Sequence, residues 1–159
     1  MAESISPMNG GSGRYSYARN STWQRNWAHA VEDSMKEAIM ENLDLQKVVC
    51  DSNTLVVADL GCSVGPNTFY AVESIIEAVQ RMYCNKSRQL EFQVMFNDRM
   101  GNDFNTLFAS LPEHGRNYSA AAVAASFYGR VFPPSSIHIA YSLAGTAVKS
   151  TTMAPPMRW

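Results

Sequence analysis

The sequence predicts an α/β fold, the first half of a doubly wound domain with a parallel sheet and flanking helices. Three observations carry this. Residues 55–67, LVVADLGCSVGPN, read as a buried strand, an acidic strand end, a glycine turn and a helix start. A strongly amphipathic helix follows at once. Two further short strands, Phe92–Phe96 and Ile137–Tyr141, then give a β-α-β-α-β order.

Val56, Val57 and Ala58 form the apolar run of a parallel strand covered on both faces. Asp59 closes it, Gly61 and Gly65 bracket the turn, and Pro66 suits the first turn of a helix. Phe69, Val72, Ile76, Val79 and Tyr83 recur at the spacing of one buried helical face, with Glu73, Glu77 and Arg81 on the other side. Glu77 and Arg81 are four apart and able to pair. The second strand ends in Asn97-Asp98. Asn102 or Asp103 caps the next helix, whose apolar face is Phe104, Leu107, Phe108 and Leu111, and Pro112 stops it. Ala120–Ala125 carries no placing signal. Ser126–Gly129 reads as a loop, punctuated by Pro133-Pro134. Ile137, Ile139 and Tyr141 alternate with His138 and Ala140 as a strand.

Upstream, residues 1–15 read as a mobile arm rich in small residues. Asn20 and Ser21 are candidate N-caps for a helix carrying Trp27, Val31, Met35 and Ile39 and running to about Leu43. Gln46–Asn53 reads as a polar linker. From Leu143 the sequence LAGTAVKSTTMAPPMRW loses periodicity and reads as a tail rather than more sheet, which leaves at least one sheet edge open.

The 159 residues are one domain or a piece of a larger one, and 46% hydrophobic with 17% charged residues suits a globular protein. A formal net charge of −1 gives no electrostatic reason for a nucleic-acid or anionic-membrane partner. No apolar run approaches a membrane span, and no secretory signal is visible. Cys50, Cys62 and Cys84 lack paired spacing, which argues against a metal site or a disulfide framework and for a reducing, cytoplasmic setting.

A strand, glycine turn and helix place a ligand at the carboxyl end of the strand. The pyrophosphate-binding G-x-G-x-x-G pattern and the P-loop Lys-Ser/Thr pair are both absent, which disfavours a dinucleotide-dependent oxidoreductase. An acidic residue before the turn without phosphate devices suits a nucleoside that carries no phosphate, of which S-adenosylmethionine is the commonest. The plainer reading is a tight turn with no ligand. Asp98 has the place of an acidic residue that accepts bonds from ribose hydroxyls; its plainer reading is a turn toward Gly101. Tyr17 and Gln24 flank the first helix cap, as a lid would, or as an ordinary capped surface helix would. His29, His114 and His138 read as ordinary surface or strand histidines.

Four segments, MNGGSGRYSYARNSTWQ, VADLGCSVGPNTF, FQVMFNDRMGNDFNTLFASLP and SFYGRVFPPSSIHIAYS, make the chain resemble the plant SABATH methyltransferases over residues 8–142. The nearest branch contains loganate and farnesoate methyltransferases. The resemblance implies the N-terminal half of a Rossmann-like, class I methyltransferase fold, with residues 16–142 a partial cofactor-binding domain and 143–159 an unmatched tail. It implies S-adenosylmethionine as cofactor and a small plant carboxylic acid, or in some members a ring nitrogen, as methyl acceptor; a homodimer is left open. Tyr17 would lie against the cofactor and Gln24 would touch the substrate carboxylate. Asp59, Gly61, Cys62 and Asn67 would form the cofactor turn, with Cys62 and Asn67 near the methionine portion. Asp98 would take the ribose hydroxyls, Arg99 would pack beside adenine, and Ser126 and Phe127 would complete the adenine side. No catalytic residue and no metal is expected, because a carboxylate is already ionised at neutral pH and needs only to be held in line with the methyl group.

Two departures from the family pattern stand out. Ala124-Ala125 replaces the Pro-Gly pair common before SFYGR. Past Ser142 the aromatic residue and the His-Trp pair that clamp substrate have no counterpart. The chain therefore reads as truncated, and the expectation is little or no turnover from it alone. The rival reading is an inactive fragment that at most binds cofactor or pairs with a full-length relative.

Overall fold

The structure is a computed structural model that describes residues 22–51, 53–83, 89–142 and 149–150, with side chains for 32–48, 53–83 and 89–142. In chain order the elements are α1 (Thr22–Asn42), α2 (Leu45–Asp51), β1 (Thr54–Leu60), α3 (Pro66–Met82), β2 (Glu91–Asp98), α4 (Phe104–Ala109), β3 (Ser119–Ala124), β4 (Ile139–Tyr141) and β5 (Lys149–Ser150). The sheet order is β3-β2-β1-β4-β5. β1, β2, β3 and β4 run parallel, and β5 is antiparallel to β4.

The handedness of the crossovers explains the layers. β1-α3-β2 and β2-α4-β3 both step the same way across the sheet, and right-handed connections then put both helices on one face. Register agrees: Val57 sits beside Val94 and Ile139, and Asp59 beside Phe96 and Tyr141. Leu55, Val57, Asp59, Phe92, Val94, Phe96, Ile139 and Tyr141 share that face, and all are buried. Phe96 is its centre. Phe69 of α3 meets the Phe96 ring edge-on at 5.9 Å and Phe108 of α4 meets it at 6.5 Å.

The second face is different, and the expectation that β1 is covered on both faces is not met. Ala58 and Asn97 are buried there, but Val56, Leu60, Gln93, Met95, Ala121, Val123 and Ala140 are only half-buried. The physical reason is the connection from Ala124 to Ile139, which returns the chain to the other side of β1 without forming a helix. A helix there would cover this face. The reversal also creates a switch point between β1 and β4, the place where such sheets leave a crevice at the strand ends.

α3 has the face read from its sequence: Phe69, Val72, Ile76 and Val79 are buried, and Arg81 pairs with Glu77 at 2.6 Å on the exposed side. Ala71, Ser74, Ile75 and Ala78 are buried too, because α1 packs along the flank of α3. Glu32 of α1 anchors that packing. It pairs with Lys36 at 2.5 Å and accepts from Tyr70 and, at 3.1 Å, from Ser74. These bonds, led by Lys36 and Tyr70, draw its carboxyl down to about 2.

Three sequence expectations change. The polar linker at Gln46–Asn53 contains most of a short helix, α2, whose first turn is capped by Asp44 accepting from the Lys47 N–H at 3.2 Å. Leu43 and Val48 fix it to the core. The unplaced alanine stretch is the edge strand β3, paired with β2 from Ser119 beside Gln93 to Ala124 beside Asp98. Alanine carries little strand preference, so neighbouring backbone decides its conformation. In the tail, Lys149–Ser150 pairs with Ala140 and Ile139 and extends the sheet by one short strand.

Candidate functional site

The carboxyl ends of β1 and β2 are tied together by main-chain bonds that only a sharp turn permits. Gly61 has φ +84°, which a Cβ would oppose. That turn aims the Gly61 and Cys62 N–H groups at the Asn97 carbonyl, at 2.8 and 3.1 Å. Ser63 is left-handed as well, with φ +55°, and is held from both sides. Its N–H donates to Asp98 Oδ2 at 2.7 Å, and its carbonyl accepts from Asn102 Nδ2 at 3.0 Å. Such over-determination lets a non-glycine residue keep an unfavourable backbone.

Asp98 is therefore not simply the start of a turn toward Gly101. The backbone turn runs from Arg99 to Asn102 through a 2.9 Å bond, while the Asp98 carboxylate faces the glycine turn. Its Oδ1 accepts from the Arg99 N–H at 2.7 Å. Each carboxylate oxygen has a further lone pair for donors from a ligand.

Asp59 lies beneath the turn, 2% exposed, and accepts from the Thr68 hydroxyl of α3. Burial pushes its carboxyl up to about 7, the Thr68 and Tyr141 hydroxyls oppose that rise, and the Asp98 charge adds to it. Burial, aided by the two carboxylates, also pushes the Cys62 thiol far up. Cys62 is thus a protonated packing residue, since thiol reactivity requires the thiolate. Asn67 is buried in the first turn of α3, whose N-cap Gly65 offers no side chain to the helix amides.

On the other side, Ser126 and Phe127 follow the end of β3. Ser126 is exposed, Phe127 is half-buried, and the Phe127 ring lies 4.8 Å from that of Tyr128. The Ala125 N–H donates to the Asp98 carbonyl at 2.9 Å, and a Gly129-to-Ser126 bond of 3.1 Å closes the following turn. Arg99 is exposed at the end of β2. The fold so gathers Asp59, Gly61, Cys62, Asn67, Asp98 and Arg99 at one sheet end, with Ser126 and Phe127 next to them along β3. Tyr17 and the Gln24 side chain lie outside the described residues. His138 accepts from the Val56 N–H through Nδ1 at 2.9 Å, a strand-end contact away from this site. The groove between α1 and α3, lined by Asp33, Lys36, Glu37, Met40, Ala78 and Arg81, is also elsewhere.

Sequence reading missed Ser63, Thr68, Asn97, Asn102 and Tyr141. Thr68 and Tyr141 were visible only as helix and strand residues, and nothing local announces that both hydroxyls reach Asp59. Asn97 carried one usable signal, a polar side chain next to the end of an apolar strand.

Residues 3–154 match the family model described as SAM dependent carboxyl methyltransferase. Among curated proteins, the chain is 50% identical over 138 residues to paraxanthine methyltransferase 2 of Arabidopsis thaliana, covering 84% of this chain and 38% of that protein. It is 44% identical over 137 residues to loganic acid O-methyltransferase of Catharanthus roseus, covering 85% and 37%. A solved structure of loganic acid methyltransferase with SAH superposes with TM-score 0.79 at 45% identity, covering 86% of this chain and 39% of that one. The chain thus spans less than two fifths of the length of these relatives.

Proposed function

Because the chain belongs to the family of S-adenosylmethionine-dependent carboxyl methyltransferases, we propose that it binds S-adenosylmethionine at the β1–β2 strand ends and, within a complete catalytic unit, methylates the carboxylate of a small plant acid. The observation that carries this is the Asp98 carboxylate fixed against Ser63 of the glycine turn. That geometry leaves a rigid acceptor where ribose hydroxyls would arrive, and a similar chain holds SAH.

In this reading Asp98 takes the ribose and Ser126 and Phe127 border the adenine, with Arg99 beside it. Gly61, Cys62 and Asn67 line the methionine side over the buried Asp59. Tyr17 and Gln24 close on cofactor and substrate. A carboxylate oxygen attacks the sulfonium methyl, the carbon–sulfur bond breaks, and the products are a methyl ester and S-adenosylhomocysteine. No base is needed, and rate enhancement comes from alignment. The acceptor itself stays at the level of a class, since the relatives' names span paraxanthine and loganic acid. We place the protein in the cytoplasm, where the free, buried Cys62 would stay reduced.

A second reading, cofactor binding without turnover by this chain alone or in a pair with another copy or a full-length relative, is favoured by the half-buried second sheet face. One experiment separates the two. S-adenosylhomocysteine is titrated calorimetrically into the chain, and methyl transfer to loganic and farnesoic acids is then assayed. Transfer by the chain would make it a complete catalytic unit and overturn the second reading. Binding without transfer favours the second reading for this chain and leaves methylation to a longer unit, and no binding by folded protein contradicts both.

A further inference from the structure

The side chain of Asn97 is 0% exposed, yet none of the proposed ligand contacts uses it. Both hydrogens of its amide are spent on the neighbouring strand end. Nδ2 donates to the Val123 carbonyl at 2.8 Å and to the Ala125 carbonyl at 2.9 Å. Its own main-chain carbonyl accepts both turn amides, from Gly61 and Cys62. Asn97 is thus bonded simultaneously to the glycine turn on one side and to the segment that leads into Ser126 and Phe127 on the other.

We propose that Asn97 is a positioning residue that fixes the distance between the two walls of the cofactor site. This rests on the cofactor reading above. The chemistry selects asparagine. The Val123 carbonyl at the end of β3 and the Ala125 carbonyl just past it need two donors on one short planar group, which a primary amide of this length supplies. Aspartate would set oxygens against oxygens, serine supplies one donor, and alanine none. Asn97 Oδ1 is buried without a donor. A buried acceptor left unpaired is unfavourable, so this amide is not there for its own hydrogen-bond balance. Its two donated bonds are what the site gains. They matter more here because Ala124-Ala125 has no restricted backbone of its own to hold the loop.

The test compares Asn97→Asp and Asn97→Ser with Val94→Ala, a buried core position on the same strand whose ladder partners, Val57 and Ala120, are not among the proposed ligand contacts. Amide exchange in the ligand-free chain reads the Ala125 N–H, and calorimetry reads S-adenosylhomocysteine and adenosine affinity well below the midpoint of thermal unfolding. The expected result is faster exchange at Ala125 relative to the core in both Asn97 variants. Affinity falls tenfold or more for both ligands in Asn97→Asp and less in Asn97→Ser, while Val94→Ala binds normally despite a lower midpoint. Should Asn97→Asp not fold, Asn97→Ser carries the comparison. Unchanged Ala125 exchange, or a loss of affinity matched by Val94→Ala, overturns the inference. If the unsubstituted chain binds neither ligand, the cofactor reading fails, and the exchange result still decides whether Asn97 holds the loop.

Discussion

The centre of the sheet and its carboxyl end are built from different materials. Its centre is apolar: Val57, Val94, Phe92, Phe96 and Ile139, packed beneath α3 and α4. At the carboxyl end the same sheet buries Asp59, Ser63, Asn67, Thr68 and Asn97, and, tyrosines aside, the one other buried polar side chain among the described residues is Ser74. Apolar burial is non-directional and tolerates neighbours of many shapes, so it stabilises without specifying a ligand. Buried polar groups are directional and costly when unpaired. Concentrating them at one end is what turns a strand–turn–helix into a binding site. The centre should therefore respond to substitution through stability, and the end through affinity together with smaller stability losses.

The largest effect belongs to the centre. Phe96→Ala removes the ring against which Phe69 and Phe108 pack and should cost about 3–5 kcal/mol in urea unfolding. A loss below about 1 kcal/mol would mean that this face is not the core. Next comes Ser63→Val. A β-branched residue at φ +55° should destabilise by about 1–3 kcal/mol, whereas Ser63→Gly should match or exceed the parent in stability because it removes the strain.

Titration sharpens the contrast further. Asp59, raised to about 7, binds its proton more tightly folded than unfolded, so its contribution is full below pH 4 and is lost as pH rises toward 7. Glu32, lowered to about 2, does the reverse and loses its contribution as pH falls below about 4.5. Stability measured by denaturant across pH should peak between these windows. It should fall by at most about 1.4 kcal/mol per pH unit above the peak, and Asp59→Asn should flatten that descending limb. The smallest effect is on the surface: Glu77→Gln at the exposed Arg81 pair should change stability by less than about 0.5 kcal/mol.

What was legible in the sequence follows the same division. Strand β1, helix α3 and strand β2 announced themselves because apolar period and glycine chemistry are local signals. The site's acidic residues, Asp59 and Asp98, were visible because each ends an apolar strand. β3 was not legible, since SAAAVA becomes a strand only through the backbone of β2. α2 was hidden by its shortness, since seven residues, LQKVVCD, are too few to show a helical period, with Asp44, Leu45 and Val48 as its cues. The half-buried second face could not be read at all. It depends on both crossovers stepping in one direction, a property of topology rather than of any segment. Asn97 shows the same limit, because its meaning lies in carbonyls twenty-six and twenty-eight residues away.

The central claim is that the polar end binds a nucleoside cofactor on a frame held mainly by the apolar centre. Asp98→Ala tests this most directly when circular dichroism, the thermal midpoint and S-adenosylhomocysteine titration are read on the same sample. The account predicts a folded variant, a stability loss of about 1–2 kcal/mol from the Ser63 N–H left without its acceptor, and an affinity reduced a hundredfold or more. A folded variant that binds as the parent does would contradict it.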